Sequence, residues 1–133
     1  MAVLIDTDVL VELERPGSAA ALERVAGDEE RAISVITVSE LLHGVLRATG
    51  ARRARRSAFV EHVLTGMNPI PITEHVARVH AGVWAELAER GQAIGAHDLW
   101  IAATGVAHDL AVATGNVADF ERVPGLRVLD VAA

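Results

Sequence analysis

The segment Val3-Leu4-Ile5-Asp6 is a short apolar run that stops at a carboxylate. An uninterrupted run of this kind is typical of a strand that is buried on both faces of a sheet. Similar runs occupy 32–36, 110–114 and 126–129, and stretches with apolar residues at helical spacing lie between them. Strands that alternate with helices predict an α/β protein with a central, mostly parallel sheet.

The helical stretches are recognised by their apolar stripes and by the residues that end them. Helices are predicted at 7–13, 18–25, 38–48, after Gly50, from Thr73 and at 97–108. Residues 69–72 contain two prolines, which exclude a central strand, so this segment is predicted as a short strand or an extended link. The sheet is therefore expected to have four or five strands.

Length and composition favour a single domain, 1–133, with one well-filled core. The chain has 133 residues, of which 51% are hydrophobic. No apolar run is longer than five residues, so no membrane span is expected, and the early Asp6 without a basic region before it predicts no secretion signal. Cysteine is absent, which excludes disulfides, thiolate zinc sites and cysteine nucleophiles and makes the cytoplasm the expected compartment.

Charge is distributed unevenly along the chain. The formal net charge is −6, and every basic residue is an arginine. Residues 41–60 carry five arginines and no acid, a local charge of +5, whereas the remaining seven arginines and 18 acids give −11. An acidic body with one basic segment is typical of a protein that holds cations at one place and contacts a polyanion at another.

Four acidic residues lie where predicted strands end or where predicted helices begin: Asp6, Glu40, Asp98 and Asp119. Asp6 ends the first strand, and Glu40 is expected in the first turn of the helix after the second strand. Asp98 lies near the start of a helix, and Asp119 follows the third strand across a turn. The carboxyl ends of parallel strands and the amino ends of the following helices share one edge of a sheet. We therefore expect the four carboxylates to converge.

Each acid taken alone also has a purely structural interpretation. Asp6 suits a helix N-cap, and Thr37-Val38-Ser39-Glu40 has the spacing of a capping box. Asp98 complements a helix dipole, and Asn116 to Asp119 repeats the cap spacing. Four carboxylates in one place, however, repel one another strongly unless a cation lies among them. Mg²⁺ and Mn²⁺, which prefer oxygen ligands, are the fitting cations.

A divalent ion held by carboxylates suits the hydrolysis of phosphodiester bonds. The metal lowers the pKa of a bound water, orients the phosphate and neutralises its growing charge. Thr7, Thr114 and Asn116 are polar neighbours that could orient the carboxylates or the water, or could serve only as cap and turn residues. The sequence leaves both roles open for them.

Several segments, in this order, resemble the signature blocks of the PIN domain, and most closely those of the VapC toxins of bacterial toxin–antitoxin pairs. The resemblance runs nearly from end to end of the chain, and its specificity lies in the ordered set rather than in any one block. The segments are Leu4-Ile5-Asp6-Thr7-Asp8-Val9-Leu10, Val38-Ser39-Glu40-Leu41, Asp98-Leu99-Trp100-Ile101-Ala102-Ala103, Thr114-Gly115-Asn116-Val117-Ala118-Asp119-Phe120 and Arg122-Val123-Pro124-Gly125-Leu126.

This resemblance implies a PIN-like three-layer α/β/α sandwich and a Mg²⁺- or Mn²⁺-dependent endoribonuclease. It also implies a homodimer that is inhibited by a small antitoxin protein. By position, Asp6, Glu40, Asp98 and Asp119 match the acidic set of the family, as metal ligands and catalytic residues. Position 116 is Asn where some relatives carry an acid, so the fourth carboxylate rests on Asp119 alone. Asp8 stands where relatives more often have Asn or Ser, and we interpret it as peripheral.

The basic segment and the apolar helices beside it are candidate contact surfaces. Arg52, Arg53, Arg55 and Arg56 form either a solvated helix face or a contact to RNA or to the antitoxin. Helical stretches 38–48 and 56–64 are the expected surface for the homodimer and for the antitoxin, because a small chain this apolar exposes part of its hydrophobic surface.

His97 is interpreted either as a surface residue or as a substrate contact, since it borders Asp98. Trp84 and Trp100 are expected in the core or at an interface.

Two other functions remain open from the sequence. An aspartyl-phosphate enzyme is one, because Asp6-Thr7-Asp8 resembles the opening of a phosphohydrolase motif. Such sites normally add a lysine, and this chain has none. A PIN-like module that binds RNA or protein without catalysis is the other, and the intact set of four acids speaks against it.

Overall fold

The computed structural model describes residues 2–132 and contains one sheet with helices on both sides. The strands are β1 (Ala2–Ile5), β2 (Glu30–Ser34), β3 (Asn68–Ile70), β4 (Ala111–Thr114) and β5 (Val128–Asp130). The helices are α1 (Thr7–Glu12), α2 (Ala19–Ala26), α3 (Val35–Arg47), α4 (Gly50–Thr65), α5 (Glu74–Glu89), α6 (Ala96–Ala107) and α7 (Val117–Phe120). The predicted α/β class is confirmed.

The sheet has five strands in the order β3-β2-β1-β4-β5, and every described pair is parallel. The proline-containing segment forms strand β3, which lies at the edge of the sheet, where a missing N–H donor is tolerated. Strand order reverses between β1 and β4. Ligands of open α/β sheets bind in the crevice outside the strand ends at such a reversal.

Alternating side chains of the strands fill two separate cores, one on each face of the sheet. Val3, Ile5 and Ile33 point to the side covered by α1, α2, α3 and α4. Leu4 and Val112 point to the other side, where they pack against α5, α6 and α7. This arrangement confirms the three-layer α/β/α sandwich.

The boundary between β2 and α3 differs from the prediction. The β-branched run 32–36 predicted a strand through Ile36 and a helix from Val38, but the strand ends at Ser34. The Ser34 hydroxyl accepts a hydrogen bond from the Ile36 N–H at 3.1 Å and caps α3. The capping-box interpretation of Thr37 and Glu40 is therefore wrong. Glu40 lies in the second turn of α3 rather than in its first.

The other boundaries differ from the prediction by a few residues. The break predicted at Gly50 is found between two adjacent helices, since α3 ends at Arg47 and Gly50 begins α4 with a left-handed φ of 59°. The short helix α7 was not predicted. None of the helices described between residues 2 and 132 has the length and apolarity that crossing a bilayer requires.

Candidate active site

Asp6 lies immediately after the central strand β1 and is buried, with 4% of its surface exposed. Its Oδ1 accepts from the Thr7 backbone N–H at 2.8 Å, which caps α1. Its Oδ2 accepts from the Thr114 hydroxyl at 2.7 Å. The cap interpretation of Asp6 is thus confirmed, and the second oxygen of the carboxylate faces the end of β4.

Thr114 links the ends of the two strands at which the sheet order reverses. It is fully buried at the end of β4, and its hydroxyl oxygen also accepts from the Asn116 N–H at 2.8 Å. The single hydroxyl therefore fixes both the Asp6 carboxylate and the loop that leads into α7.

Asn116 bridges the two remaining aspartates of the predicted set. Its side-chain Nδ2 donates to Asp119 Oδ2 at 3.1 Å and to Asp98 Oδ2 at 3.5 Å. Asp98 is half-buried in the first turn of α6, and Asp119 lies in α7, 3.6 Å from the Arg122 guanidinium. An amide at position 116 therefore supplies donors between two carboxylates, where an acid would add a further negative charge.

Glu40 reaches the same edge from the second turn of α3, held by one partner on α1 and one on α6. The Thr7 hydroxyl donates to Glu40 Oε1 at 2.7 Å and lies 3.0 Å from the buried Thr37 hydroxyl. Glu40 Oε2 lies 3.3 Å from His97 Nδ1. The sequence did not reveal the contact with His97, although the histidine is the chain neighbour of Asp98.

The electrostatics of these acids reflect burial and mutual repulsion. Burial, together with the charge of Asp8, raises the pKa of Asp6 to about 7, although the Thr114 hydrogen bond acts in the opposite direction. Burial also raises the pKa of Asp98, and the negative charges of Glu40 and Asp119 add to this effect. The predicted acids are therefore close enough for the charge of one to change the pKa of another.

Asp8 lies closer to Asp6 than its interpretation as peripheral implied. Its negative charge is the nearby charge with the largest effect on the pKa of Asp6. Its Oδ2 lies so close to Gly115 that a Cβ added there would meet it at 3.1 Å. Asp8 follows Asp6 by two residues at the start of α1, and neither strand nor helix periodicity marked it as part of the site.

The donor chemistry of this edge fits a hard divalent cation. The carboxylates supply oxygen ligands only, and burial with neighbouring negative charge raises the pKa of Asp6 and of Asp98, so a cation beside these two would stabilise their ionised forms. Throughout residues 2–132, no three acidic or histidine side chains are already arranged closely enough to hold an ion. Both oxygens of Glu40 are engaged by Thr7 and His97 instead.

The predicted arginine group lies on α4, and the structure gives its members different surroundings. Arg53 donates to the backbone oxygens of Leu46 and Ala48 at 2.7 and 2.6 Å, so it completes the end of α3. Arg56 lies 3.5 Å from Glu14. Arg52 lines an open cavity, whereas Arg55 is exposed.

The two tryptophans lie together on the opposite layer. The His80 ring stacks on Trp100 with 3.5 Å between the centroids and meets Trp84 edge-on at 5.7 Å. Trp100 is half-buried, whereas Trp84 remains 60% exposed.

Known proteins resemble this chain in sequence and in structure along its whole length. The family model of the PIN domain matches residues 3–126. Ribonuclease VapC1 of Rickettsia felis is 33% identical over 134 residues, which cover 100% of this chain and 98% of that protein. The tRNA(fMet)-specific endonuclease VapC of Salmonella typhimurium is 34% identical over 99 residues, 74% of this chain and 73% of the relative.

Among solved structures, VapBC-5 of Mycobacterium tuberculosis, a member of the VapBC family of toxin-antitoxin systems, superposes with a TM-score of 0.80. It is 30% identical and the match covers 97% of this chain and 98% of that one. The match of the family model to most of the chain and the identity with full-length relatives agree with the fold and with the order of the acidic segments. The chain therefore belongs to the PIN domain family, and within it to the VapC group.

Proposed function

We propose that this protein is a Mg²⁺- or Mn²⁺-dependent endoribonuclease and acts as the toxin of a toxin–antitoxin pair. The observation that carries the proposal is the convergence of Asp6, Glu40, Asp98 and Asp119 at the point where the strand order reverses. Similarity to proteins named ribonuclease and endonuclease supports RNA as the substrate. Single-stranded or looped RNA is the proposed substrate class.

In this proposal Asp6, Asp98, Glu40 and Asp119 are the catalytic acids that would hold the metal. The bound ion would supply an activated water and neutralise charge on the cleaved phosphate. The chain's own polar groups orient these acids: Thr114 aims Asp6, and Thr7 fixes Glu40. The Asn116 amide bridges Asp98 and Asp119 by donating to both carboxylates.

The test is incubation of the purified protein with total RNA, with and without Mg²⁺ or Mn²⁺, beside an Asp6→Asn variant. Cleavage by the wild-type protein that requires the metal and is lost in the variant supports the proposal. Binding of RNA without any cleavage would instead favour a non-catalytic PIN-like module. Hydrolysis of small phosphate esters in place of RNA would favour the aspartate-based phosphohydrolase.

The proposed partner is a small antitoxin protein, since a similar solved structure comes from a toxin–antitoxin system. The exposure of Leu46 supports this assignment, since this apolar side chain lies in the predicted contact surface and is 66% exposed. Co-expression with the adjacent small gene, followed by co-purification and an RNA cleavage assay, tests it. A neighbour that neither co-purifies nor inhibits cleavage would contradict the antitoxin proposal and leave the nuclease proposal intact.

Three further features remain proposals. These are a single domain over 1–133, a homodimer, and residence in the cytoplasm. Sedimentation of the purified protein measures the homodimer directly.

A further inference from the structure

A cavity of about 310 Å³ lies between the end of α3 and the first turns of α4. It is lined by Gly44, Arg47, Ala48, Arg52 and Arg56, and no carboxylate is among these described lining residues. We call it the arginine pocket. The sequence had placed Arg52 and Arg56 in a contact surface together with Arg53 and Arg55, but the structure brings in Arg47 from the neighbouring helix in their place.

The cationic charge of the arginine pocket is largely unused by the fold. Within residues 2–132, Arg47 and Arg52 are exposed and make no ion pair. The Nε of Arg56 is buried and has no hydrogen-bond partner among the described residues, although Glu14 Oε2 lies 3.5 Å away. The exposed guanidinium groups of Arg47 and Arg52 are therefore the ones available to bind an anion in this cavity.

Arg53 removes a charge that would otherwise oppose an anion in the arginine pocket. The carboxyl end of a helix carries partial negative charge, and α3 ends beside the pocket. Arg53 donates to the oxygens of Leu46 and Ala48 at that end. The three lining arginines are therefore not needed to satisfy the helix terminus.

The arginine pocket continues toward the acids of the candidate active site. A second cavity, of about 40 Å³, shares Gly44 and Arg56 with it and is also lined by Glu40. A Cβ added to Gly44 would meet no other atom within 4 Å, so the passage over this residue is open. Glu40, Gly44 and Arg47 lie on one face of α3, and Arg47 is about 10 Å along the helix axis from Glu40.

We propose that the arginine pocket binds a backbone phosphate of the RNA, next to the nucleotides whose linkage is cut at the acids. The inference rests on the proposed function and names a binding site for the same substrate. An RNA strand that is cut at the acids must carry its neighbouring phosphates along the adjacent surface. Guanidinium groups match phosphate geometry and offset the repulsion between the strand and the carboxylates.

The experiment measures binding separately from cleavage. A fluorescein-labelled single-stranded RNA of about a dozen nucleotides is titrated with protein in chelator, and fluorescence anisotropy gives the affinity at several salt concentrations. The Arg47→Gln/Arg52→Gln variant is compared with the wild type and with Arg78→Gln/Arg90→Gln. The control removes the same charge from α5, where both arginines pair with glutamates one turn away.

The slope of log affinity against log salt concentration should fall in magnitude by about 0.7 in the arginine-pocket variant, since one phosphate contact to single-stranded RNA contributes about 0.7. The control variant should keep the wild-type slope. Equal slopes in all three proteins would overturn the inference. So would a variant that binds RNA normally but loses binding to a poly-glutamate peptide, because the arginine pocket would then serve an acidic protein partner.

The two proposals fail in different ways. A protein that cleaves RNA with an unchanged salt slope in the arginine-pocket variant keeps the nuclease function and loses the inference. A protein that shows the reduced slope but cleaves no RNA with Mg²⁺ or Mn²⁺ keeps the RNA site and loses the nuclease function.

Discussion

The Thr114 hydroxyl donates to Asp6 Oδ2 at 2.7 Å, and 108 residues separate the two in the chain. Both residues are buried at the carboxyl ends of adjacent parallel strands, β1 and β4. The hydrogen bond therefore links the ends of β1 and β4, between which the strand order reverses. It also orients the Asp6 carboxylate of the candidate site.

Replacing Thr114 by Val should destabilise the protein by about 1–3 kcal/mol, because it leaves a buried Asp6 oxygen and the Asn116 N–H without their partner. The free energy of unfolding is measured by urea titration at one pH. Thr114→Ser restores the hydroxyl and should recover most of the loss. A Val variant as stable as the wild type would show that this hydrogen bond contributes nothing net.

The metal-free protein should lose stability as pH rises from about 4 to 7. Asp6 has a pKa of about 7 when folded against an ordinary value of 3.8, so the folded state binds its proton more tightly than the unfolded state does. Stability then falls with pH across that window, by up to about 4 kcal/mol, and levels off above it.

Melting temperatures in chelator across this pH range measure the effect of Asp6 ionisation. The Asp6→Asn variant carries no titrating proton at this position, so its stability should vary less with pH and exceed that of the wild type at neutral pH. Parallel pH profiles for the two proteins would rule out Asp6 as the source.

Asp98→Asn should lower the rate of RNA cleavage roughly a thousandfold, because the change removes a proposed metal ligand. Single-turnover cleavage with Mg²⁺ measures the rate, and circular dichroism checks the fold. Asp28→Asn is the matched control, since Asp28 precedes β2 at the opposite edge of the sheet. Near wild-type cleavage by Asp98→Asn would remove Asp98 from the proposed site.

Glu40→Gln should change the stability of the metal-free protein by less than about 1 kcal/mol. Ser34, not Thr37 with Glu40, caps α3, and neutralising Glu40 relieves its repulsion of Asp98. Thermal unfolding in chelator measures the change. A large fall in melting temperature would mean that Glu40 stabilises the fold through its contacts with Thr7 and His97, which would favour a structural role over a role as metal ligand.

Leu46→Glu should abolish co-purification of the proposed antitoxin while leaving the fold and RNA cleavage unchanged. Leu46 is 66% exposed, so a charge at this position should not disturb the core. Leu42, on the same helix, packs against the core and would not separate the two effects. Trp84→Glu is the control, because Trp84 is 60% exposed on the opposite layer. Loss of the partner in the Trp84 variant alone would move the contact surface to α5.

The sequence predicted the sheet and its helices well because each strand is a short apolar run between polar breaks. It misplaced the start of α3, since a single hydroxyl on Ser34 outweighs the β propensity of Val35 and Ile36. Whether a residue caps a helix depends on the orientation of its side chain, and the spacing of apolar residues in the sequence carries no information about that orientation.

The acids at strand ends could also be predicted, since parallel topology alone brings such positions to one edge. Contacts within the site could not be. The proximity of Asp8 to Asp6, the approach of His97 to Glu40 and the bridging amide of Asn116 depend on how side chains of different elements are oriented in the folded protein. Arg47 joined the arginine pocket for the same reason, because the turn at Gly50 sets how α3 and α4 face each other.

The distance in the chain between Asp6 and Thr114 has a consequence for the protein's own synthesis. At about 5–20 residues per second, the ribosome needs roughly 5–20 s to make the residues between them. Until β4 emerges, Asp6 lacks the strand that pairs beside it and the hydroxyl that aims it. A nascent chain with the proposed activity therefore stays inert toward the RNA around it, and a partner translated at the same time can accumulate before the site first forms.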